Sequence, residues 1–188
     1  EQYMNPQHPH RLLIAEALKH IPWMCLFEIG CGAGANLITI IKKNPGKQVG
    51  GVDINPDAIA FAQTQFTNAL FKVNSGDNIM MSDKSVGIIL SEMMLIYISP
   101  RYISRYLKEW KRVARDYIVL CELHSDSWWK RFVIKWKEGY YVYNYKKLLE
   151  KLEFYDIKMY KFKKEDWPDS DLQQDYGHLI VAKVPTDY

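Results

Sequence analysis

The stretch Leu26–Asn36, "LFEIGCGAGAN", decides how the rest of the chain is interpreted. Gly30, Gly32 and Gly34 alternate with small residues, directly after an apolar run that contains Glu28. A short apolar run before a glycine-rich turn is typical of a buried strand, and helical spacing follows the turn. Glycines at such a turn allow positive φ and let the backbone approach a ligand closely. The stretch therefore predicts a strand, a ligand-binding turn and a helix.

The composition is that of an ordinary globular protein. The chain has 188 residues, of which 48% are hydrophobic and 25% charged, and this excludes disordered and collagen-like chains. A net charge of +3 is too small to indicate a nucleic-acid partner by itself. No apolar run reaches the roughly 20 residues that span a bilayer. Three cysteines without CxxC spacing predict reduced thiols, so we expect one cytoplasmic domain over residues 1–188 without a metal site.

Strands and helices alternate along most of the chain. Predicted strands cover residues 24–29, 48–54, 70–73, 86–90, 117–121, 157–162 and 178–184, and predicted helices cover residues 11–20, 36–43, 55–66, 99–112 and 144–152. This order predicts an α/β fold, with a doubly wound, mainly parallel, seven-stranded sheet and helices on both faces. The polar link 163–176 shows no helical pattern, which favours an antiparallel pair of last strands at the sheet edge.

The glycine turn suits two kinds of cofactor. In an open α/β sheet, ligands bind at the carboxyl ends of the strands. Gly30, Gly32 and Ala35 fit the dinucleotide pattern G-x-G-x-x-G/A, which is weak evidence alone. Glu28 would repel a pyrophosphate but attract the ammonium and sulfonium of S-adenosylmethionine. The residues favour the sulfonium nucleoside, while a capped surface acid at Glu28 stays open as the alternative.

Four stretches follow one another at ordinary spacing: "FEIGCGAG", "GVDINPDAIAFAQ", "NSGDN" and "GIILSEMMLIYISP". Together they resemble the class I, Rossmann-like methyltransferases that use S-adenosylmethionine. The resemblance implies that fold, with its terminal antiparallel hairpin, and methyl transfer as the activity. A narrower resemblance of the stretch that begins "LIYISPRY" is to small bacterial methyltransferases, some found near sugar-biosynthesis genes. It implies a small-molecule acceptor, such as a sugar or another metabolite.

The resemblance also implies roles for individual residues at the cofactor. The glycine loop would hold the amino-acid end, Asp53 would accept the ribose hydroxyls, and Ile54 would pack on the adenine. Asp77, with Asn78 nearby, would meet the adenine amine, although Ser75–Asn78 can equally be a plain turn. The predicted cofactor-binding residues are Glu28, Gly30, Cys31, Gly32, Gly34, Asn36, Asp53, Ile54, Asp77, Asn78 and Ser91.

Catalytic candidates follow the fourth and fifth strands, whose ends should face the methyl group. Glu92 and Tyr97 follow the fourth strand, and His124 follows the fifth. His124 has the side chain best suited to a base at neutral pH, and a surface histidine is the alternative. A base is needed only where the nucleophile must lose a proton. The N/D-P-P-Y/F/W and Pro-Cys motifs of nucleic-acid base methyltransferases are absent, so no clear nucleic-acid motif is present.

Aromatic and basic residues crowd the segment 127–145, "SWWKRFVIKWKEGYYVYNY". It can form a substrate lid, a surface for single-stranded nucleic acid or for a membrane interface, or packing over the sheet. Its place directly after the His124 loop favours an insertion or lid at about 125–145, with Trp128 or Trp129 lining the acceptor pocket.

The alternatives to a small-molecule methyltransferase are a nicotinamide-dependent oxidoreductase and a non-catalytic methyltransferase-like binding protein. The sequence predicts no oligomeric state.

Overall fold

The structure is a computed structural model that describes residue 5 and residues 7–185, so the ends of the predicted span 1–188 lie outside it. The strands are β1 (Cys25–Ile29), β2 (Gln48–Asp53), β3 (Phe71–Val73), β4 (Val86–Glu92), β5 (Ala114–Leu123), β6 (Tyr155–Lys161) and β7 (Gly177–Lys183). The helices are α1 (Pro9–Ala17), α2 (Ala35–Lys43), α3 (Pro56–Gln65), α4 (Ile103–Val113), α5 (Trp128–Glu138), α6 (Tyr145–Lys151) and α7 (Asp171–Tyr176), with 3₁₀ turns at Leu18–His20 and Leu95–Tyr97.

All seven strands belong to one sheet in the order β3-β2-β1-β4-β5-β7-β6. The strands β1 to β5 pair in parallel, and β7 runs antiparallel to both of its neighbours, β5 and β6. The predicted fold is therefore confirmed, with β7 inside the sheet and β6 at its edge. The strand order reverses between β1 and β4, which is where an open α/β sheet forms its binding crevice.

Helices cover both faces of the sheet and bury its central strands. One apolar cluster joins α1, α2 and α3 to the sheet, and the other joins α4 and α6 to the opposite face. Trp110 on α4 is fully buried, and its indole N–H donates to the Gly76 carbonyl over 2.8 Å. This bond fixes the loop that follows β3, one of the loops at the crevice.

Two helices, α5 and α7, have no counterpart among the sequence predictions. The helix α7 interrupts the polar link 163–176, where no helical pattern was expected. It is only six residues long, and its Leu172 and Tyr176 pack beside Ile134 of α5. Since a helix this short offers one apolar pair, periodicity gives almost no signal for it. Among the described residues, none of the helices has both the length and the apolar character needed to cross a bilayer.

Candidate functional site: a glycine loop above a buried pair of acids

The glycine loop between β1 and α2 requires its glycines for two different reasons. Gly30, Gly32 and Gly34 all have positive φ, at +77°, +50° and +83°. A Cβ on Gly30 would lie 2.7 Å from the Met94 side chain, and one on Gly34 would lie 2.9 Å from Phe66. At Gly32, by contrast, an added Cβ would have no neighbour within 4 Å. The loop is therefore closed by protein on two sides and open at Gly32.

The Asp53 carboxylate lies at the end of β2, directly beside this loop. Its Oδ2 accepts from the Gly32 N–H over 2.8 Å, and its Oδ1 accepts from the Asn55 N–H over 2.9 Å. Because a carboxylate has about four acceptor positions, two remain for a ligand. The neighbouring Ile54 side chain is 74% exposed. A polar anchor and an apolar surface therefore stand side by side next to the open part of the loop.

Glu28 lies beneath the glycine loop and is fully buried, so the alternative of a surface acid is wrong. The Asn36 side-chain amide donates to Glu28 Oε1 over 2.5 Å. Among the described residues, Glu28 Oε2 has no hydrogen-bond partner. Burial raises the pKa of Glu28 to about 8, against the opposing effect of the Asn36 bond. Near neutral pH this residue is held largely protonated until a cationic group approaches it.

The first turn of α1 supplies residues that the sequence interpretation missed. The Arg11 guanidinium donates to Asn36 Oδ1 and lies 3.7 Å from Glu92 Oε2. His10 Nε2 lies 3.6 Å from Glu92 Oε1, and the Asn36 amide reaches Glu92 Oε2 at 3.4 Å. Asn36 therefore joins the two acids from β1 and β4, and Arg11 braces it. The run His8–Pro9–His10–Arg11 at a helix start was the available signal, but nothing local to it points towards the acids.

The link between β6 and β7 closes over the same turn of α1. The His10 ring stacks on Trp167 with centroids 3.9 Å apart, and His8 Nε2 lies 3.1 Å from Asp169 Oδ1. Burial, with smaller effects of Arg11 and His8, lowers the pKa of His10 to about 2, so the ring is neutral.

Within residues 5 and 7–185, no group of three or more His, Cys, Asp or Glu side chains is placed to hold a metal ion.

The turn after β4 is held by Glu122 of β5. Its Oε1 accepts from the Ser91 hydroxyl over 2.9 Å and from the backbone N–H groups of Met94 and Leu95 over 3.1 and 3.0 Å. Burial raises the pKa of Glu122 to about 8. Met93 in this turn has a φ of +47°, which is costly for a residue with a side chain. Ser91, which was predicted to contact the cofactor, is fully buried and holds this turn together with Glu122, a residue to which sequence analysis assigned no role.

The comparison with known proteins decides the family. Residues 26–116 match the family described as "Methyltransferase domain". Residues 26–116 form a methyltransferase domain. A release factor glutamine methyltransferase of Geobacter sulfurreducens is 37% identical over 59 residues, which cover 31% of this chain and only 21% of that relative. The resemblance to S-adenosylmethionine-dependent enzymes is thereby confirmed.

Solved structures share the methyltransferase fold over most of their length. Geranyl diphosphate C-methyltransferase from Streptomyces coelicolor A3(2), crystallised with S-adenosyl-L-homocysteine, has a TM-score of 0.71 at 12% identity and covers 92% of this chain and 76% of its own. A Haloferax volcanii methyltransferase in complex with the Trm112 methyltransferase activator has a TM-score of 0.72 at 16% identity, covering 96% and 91%. The cofactor predicted for the domain, S-adenosylmethionine, agrees with these findings.

The loop after β3 carries the two residues that were expected at the adenine. Asp77 Oδ2 lies 3.2 Å from the Arg105 guanidinium of α4, and the Ser75 hydroxyl donates to the other Asp77 oxygen. Asn78 is exposed, and its backbone carbonyl accepts from the Asn74 side chain over 3.1 Å. The methyltransferase domain thus places Asp77 one loop away from Asp53, with its carboxylate already paired.

His124 is buried at the end of β5 and has both ring nitrogens engaged. Nδ1 accepts from the Tyr145 N–H over 3.1 Å, and Nε2 lies 3.4 Å from Asp126 Oδ1. Burial, together with the His178 ring at 4.9 Å, lowers the pKa of His124. The ring therefore ties the start of α6 to the loop after β5.

The aromatic segment leaves the methyltransferase sheet and returns to it close to where it left. The Ser125 N–H donates to the Tyr143 carbonyl over 3.1 Å, and the Tyr141 N–H donates to the Ile96 carbonyl over 2.8 Å. Between these contacts runs α5, held by its single buried residue, Ile134. Tyr97 is exposed and meets the Tyr140 ring edge-on, with centroids 5.7 Å apart.

Proposed function

We propose that this protein transfers the methyl group of S-adenosylmethionine to a small-molecule acceptor, such as a sugar or another metabolite. The observation that carries the proposal is the open space at Gly32, between the Asp53 carboxylate and the buried Glu28. Two of the three loop glycines are walled by protein, so the third gives a ligand backbone access at one defined point. The domain family supports the cofactor, and the acceptor class rests on the narrower resemblance.

The residues around the loop fit this cofactor. Asp53 has acceptor positions left for two ribose hydroxyls, and Ile54 offers an exposed apolar side chain for the adenine. Glu28 has a buried oxygen without a partner among the described residues. The cationic amino-acid end of the cofactor would favour the ionised form of Glu28, whose negative charge would attract that end in turn. Asn36, which is hydrogen-bonded to Glu28, would link the acid to the same end of the cofactor. Gly30, Cys31, Gly34 and Ser91 would contribute backbone and packing around that end. Asp77 and Asn78 would contact the adenine edge from the neighbouring loop.

The chemistry asks little of the chain itself. Bound S-adenosylmethionine supplies a methyl group that its sulfonium already activates for displacement. The protein has to orient the acceptor and exclude water. Glu92, whose side chain is 16% exposed at the end of β4, and Tyr97, on the turn beyond it, would bind acceptor hydroxyls. Trp128 and Trp129, on the first turn of α5, would form the apolar wall.

For His124 we propose a positioning role in place of the predicted base. A base must have a free nitrogen facing the acceptor. Both ring nitrogens of His124 already have partners, and one of them, the Tyr145 N–H, is a backbone donor that only the unprotonated Nδ1 can accept. The acceptor nucleophile would then be one that needs no protein base, or one that is served by Glu92.

Two other functions were open from the sequence. A nicotinamide oxidoreductase is disfavoured by the antiparallel β7 within the sheet, because the dinucleotide fold keeps its strands parallel in the order 3-2-1-4-5-6. A binding protein without activity could have the same fold, since a fold alone does not establish a reaction.

The structural similarity to geranyl diphosphate C-methyltransferase supports a small acceptor for this chain as well.

The three cysteines bear on where the protein would work. Cys25, Cys31 and Cys121 are all unpaired, and the last two are buried. Free thiols suit a reducing compartment, so a cytoplasmic location is part of the proposal.

Calorimetry and a transfer assay test the proposal together. We expect S-adenosylmethionine and S-adenosylhomocysteine to bind, and NAD to give no heat. A panel of sugars and other metabolites, incubated with methyl-labelled S-adenosylmethionine, should then yield at least one labelled product. Binding of NAD instead would overturn the assignment, and cofactor binding without any methylated product would favour the binding protein.

A further inference from the structure

The solvent side of α5 carries an unusual concentration of large apolar side chains. Trp128, Phe132 and Trp136 are spaced four residues apart, so they form one stripe along the helix. They are 69%, 57% and 76% exposed. Among the described residues of the helix, only Ile134 is buried, on the opposite side. The usual arrangement of a surface helix is therefore inverted, with the larger apolar face turned to water.

The aromatic rings pack against one another and form a continuous ridge. Trp129 meets Trp128 edge-on and stacks on Phe132, with centroids 5.6 Å apart in both pairs. An exposed apolar ridge of this size is typical of an interaction site.

Basic residues lie along one edge of the ridge. The helix carries four of them, Lys130, Arg131, Lys135 and Lys137, against one acid, Glu138. Arg131 and Lys135 are turned back to the protein, because Arg131 donates to backbone carbonyls and the Lys135 ammonium lies 3.7 Å from the centroid of the Tyr141 ring. Lys130 and Lys137 are exposed, and each lies about 100° around the helix axis from the preceding tryptophan. A partner that covers the ridge therefore meets positive charge along this edge, which favours an anionic partner.

We propose that α5 docks the protein on an anionic lipid surface. A helix with an aromatic face beside exposed lysines has the composition of helices that lie in the plane of a membrane interface. Tryptophan prefers the headgroup level, and basic side chains at that level are attracted to anionic lipids. Phe132 and Trp136, at the far end of the ridge from the proposed acceptor wall, would enter the interface while Lys130 and Lys137 contact headgroups.

Single-stranded nucleic acid fits this face less well. Bases need free ring faces in a groove that follows the backbone. Here the Trp129 face is covered by Phe132, and the ridge stands on a convex helix.

The anchoring of α5 would give the docked protein a defined orientation. Arg131 donates to the carbonyls of Ser125 and Asp126 over 2.8 and 3.0 Å, so the helix is fixed to the loop that follows β5. The lipid surface would then lie beside the loop that contains His124. The inference does not rest on methyl transfer, because docking needs neither cofactor nor acceptor.

Vesicle sedimentation tests the inference directly. The full chain is mixed with phosphatidylcholine vesicles that either contain or lack phosphatidylglycerol, at low and at high salt. We expect it to sediment with the anionic vesicles, less so at high salt, and hardly with the neutral ones. Lys130→Gln/Lys137→Gln should weaken binding about fivefold for each lysine. Trp136→Ala should also weaken it, without change in the melting temperature.

Matched variants separate docking from general charge and hydrophobicity. Lys42→Gln/Lys43→Gln removes the same charge from exposed positions at the end of α2, and Tyr155→Ala truncates an exposed aromatic on β6. Both should bind vesicles like the unaltered protein. Equal loss in the two lysine pairs, or no binding to anionic vesicles, would overturn the inference. So would α5 variants that abolish oligothymidine binding or dimer formation while vesicle binding is unchanged.

Discussion

Asn36 donates its side-chain amide to Glu28 across 2.5 Å, and this bond joins the first turn of α2 to strand β1 directly beneath the glycine loop. The same amide points towards Glu92 of β4, and Arg11 donates to its carbonyl oxygen. One neutral side chain thus joins the two acids of β1 and β4. The shape of the loop above them depends on that arrangement.

Replacing Gly32 with alanine separates backbone strain from ligand contact. Both Gly32 and Gly46 have positive φ and open space around an added Cβ, so each alanine costs about 1–2 kcal/mol of strain. We expect equal losses of melting temperature in Gly32→Ala and Gly46→Ala. Calorimetry should show weaker S-adenosylmethionine binding in Gly32→Ala alone. Equal affinity in the two variants would mean that no ligand approaches Gly32.

Removing the Asp53 carboxylate should weaken cofactor binding. The change Asp53→Ala deletes the proposed ribose acceptor, and we expect a loss of about 1.5–3 kcal/mol, the range for hydrogen bonds to a charged group. Asp57→Ala, four residues further on in the first turn of α3, serves as the control. Titration with S-adenosylhomocysteine measures both. An unchanged affinity in Asp53→Ala removes the ribose assignment.

The buried acid Glu28 should make stability depend on pH. Its pKa rises from the ordinary 4.5 to about 8 on folding, so between these values the folded chain holds a proton that the unfolded chain releases. Rising pH therefore lowers the free energy of unfolding across this window, by up to about 1.4 kcal/mol per pH unit. Glu28→Gln should reduce this slope in denaturant titrations from pH 5 to 8, and Glu122, whose pKa burial also raises to about 8, should supply the part that remains. The control Glu150→Gln, at an exposed position, should leave the pH dependence of stability unchanged. The same pH dependence in both variants would contradict the effect of burial on Glu28.

Substitution of His124 distinguishes positioning from base catalysis. Asparagine can accept the Tyr145 N–H as Nδ1 does, but it cannot take up a proton. We expect His124→Asn to keep most acceptor turnover, and His124→Ala to lose stability. If His124 acts as the base, His124→Asn should lower acceptor turnover on the order of 100-fold or more, with cofactor affinity and melting temperature unchanged.

Truncation of the aromatic wall should affect the acceptor more than the cofactor. Trp128→Ala and Trp129→Ala are expected to lower kcat/KM for the acceptor on the order of 10- to 100-fold, since misplacement of a substrate is costly. Trp136→Ala, further along the same helix, is the control in an assay without lipid. Equal losses of acceptor turnover and cofactor affinity in the first two variants would indicate plain structural packing.

The sequence predicted those parts of the site that depend on local pattern. Glu28 is the last but one residue of β1 and Asp53 is the last of β2, so their place at the crevice followed from strand periodicity and the order of elements. Arg11, His10 and Trp167 could not be found this way. Arg11 and His10 meet Glu92, and Trp167 meets His10, only through tertiary packing across sequence distances that no local pattern encodes.

The aromatic helix was missed for a different physical reason. Sequence patterns locate helices by an apolar face turned to the core. In α5 the aromatic face is turned to solvent, and the core receives Ile134 alone. Its sequence was therefore interpreted as an insertion or lid at about 125–145, although Ser127 at its start and Gly139 at its end are ordinary capping residues.

The contact between His8 and Asp169 spans 161 residues of sequence. During synthesis, the amino-terminal turn emerges long before the segment that packs on it, so the rim over the two acids is completed late. A ribosome-bound fragment that ends before the link between β6 and β7 would have the glycine loop without its cover. Competence to retain a ligand would thus be acquired only after the link between β6 and β7 has been translated, and loss of that link would leave a largely assembled sheet with its two acids uncovered.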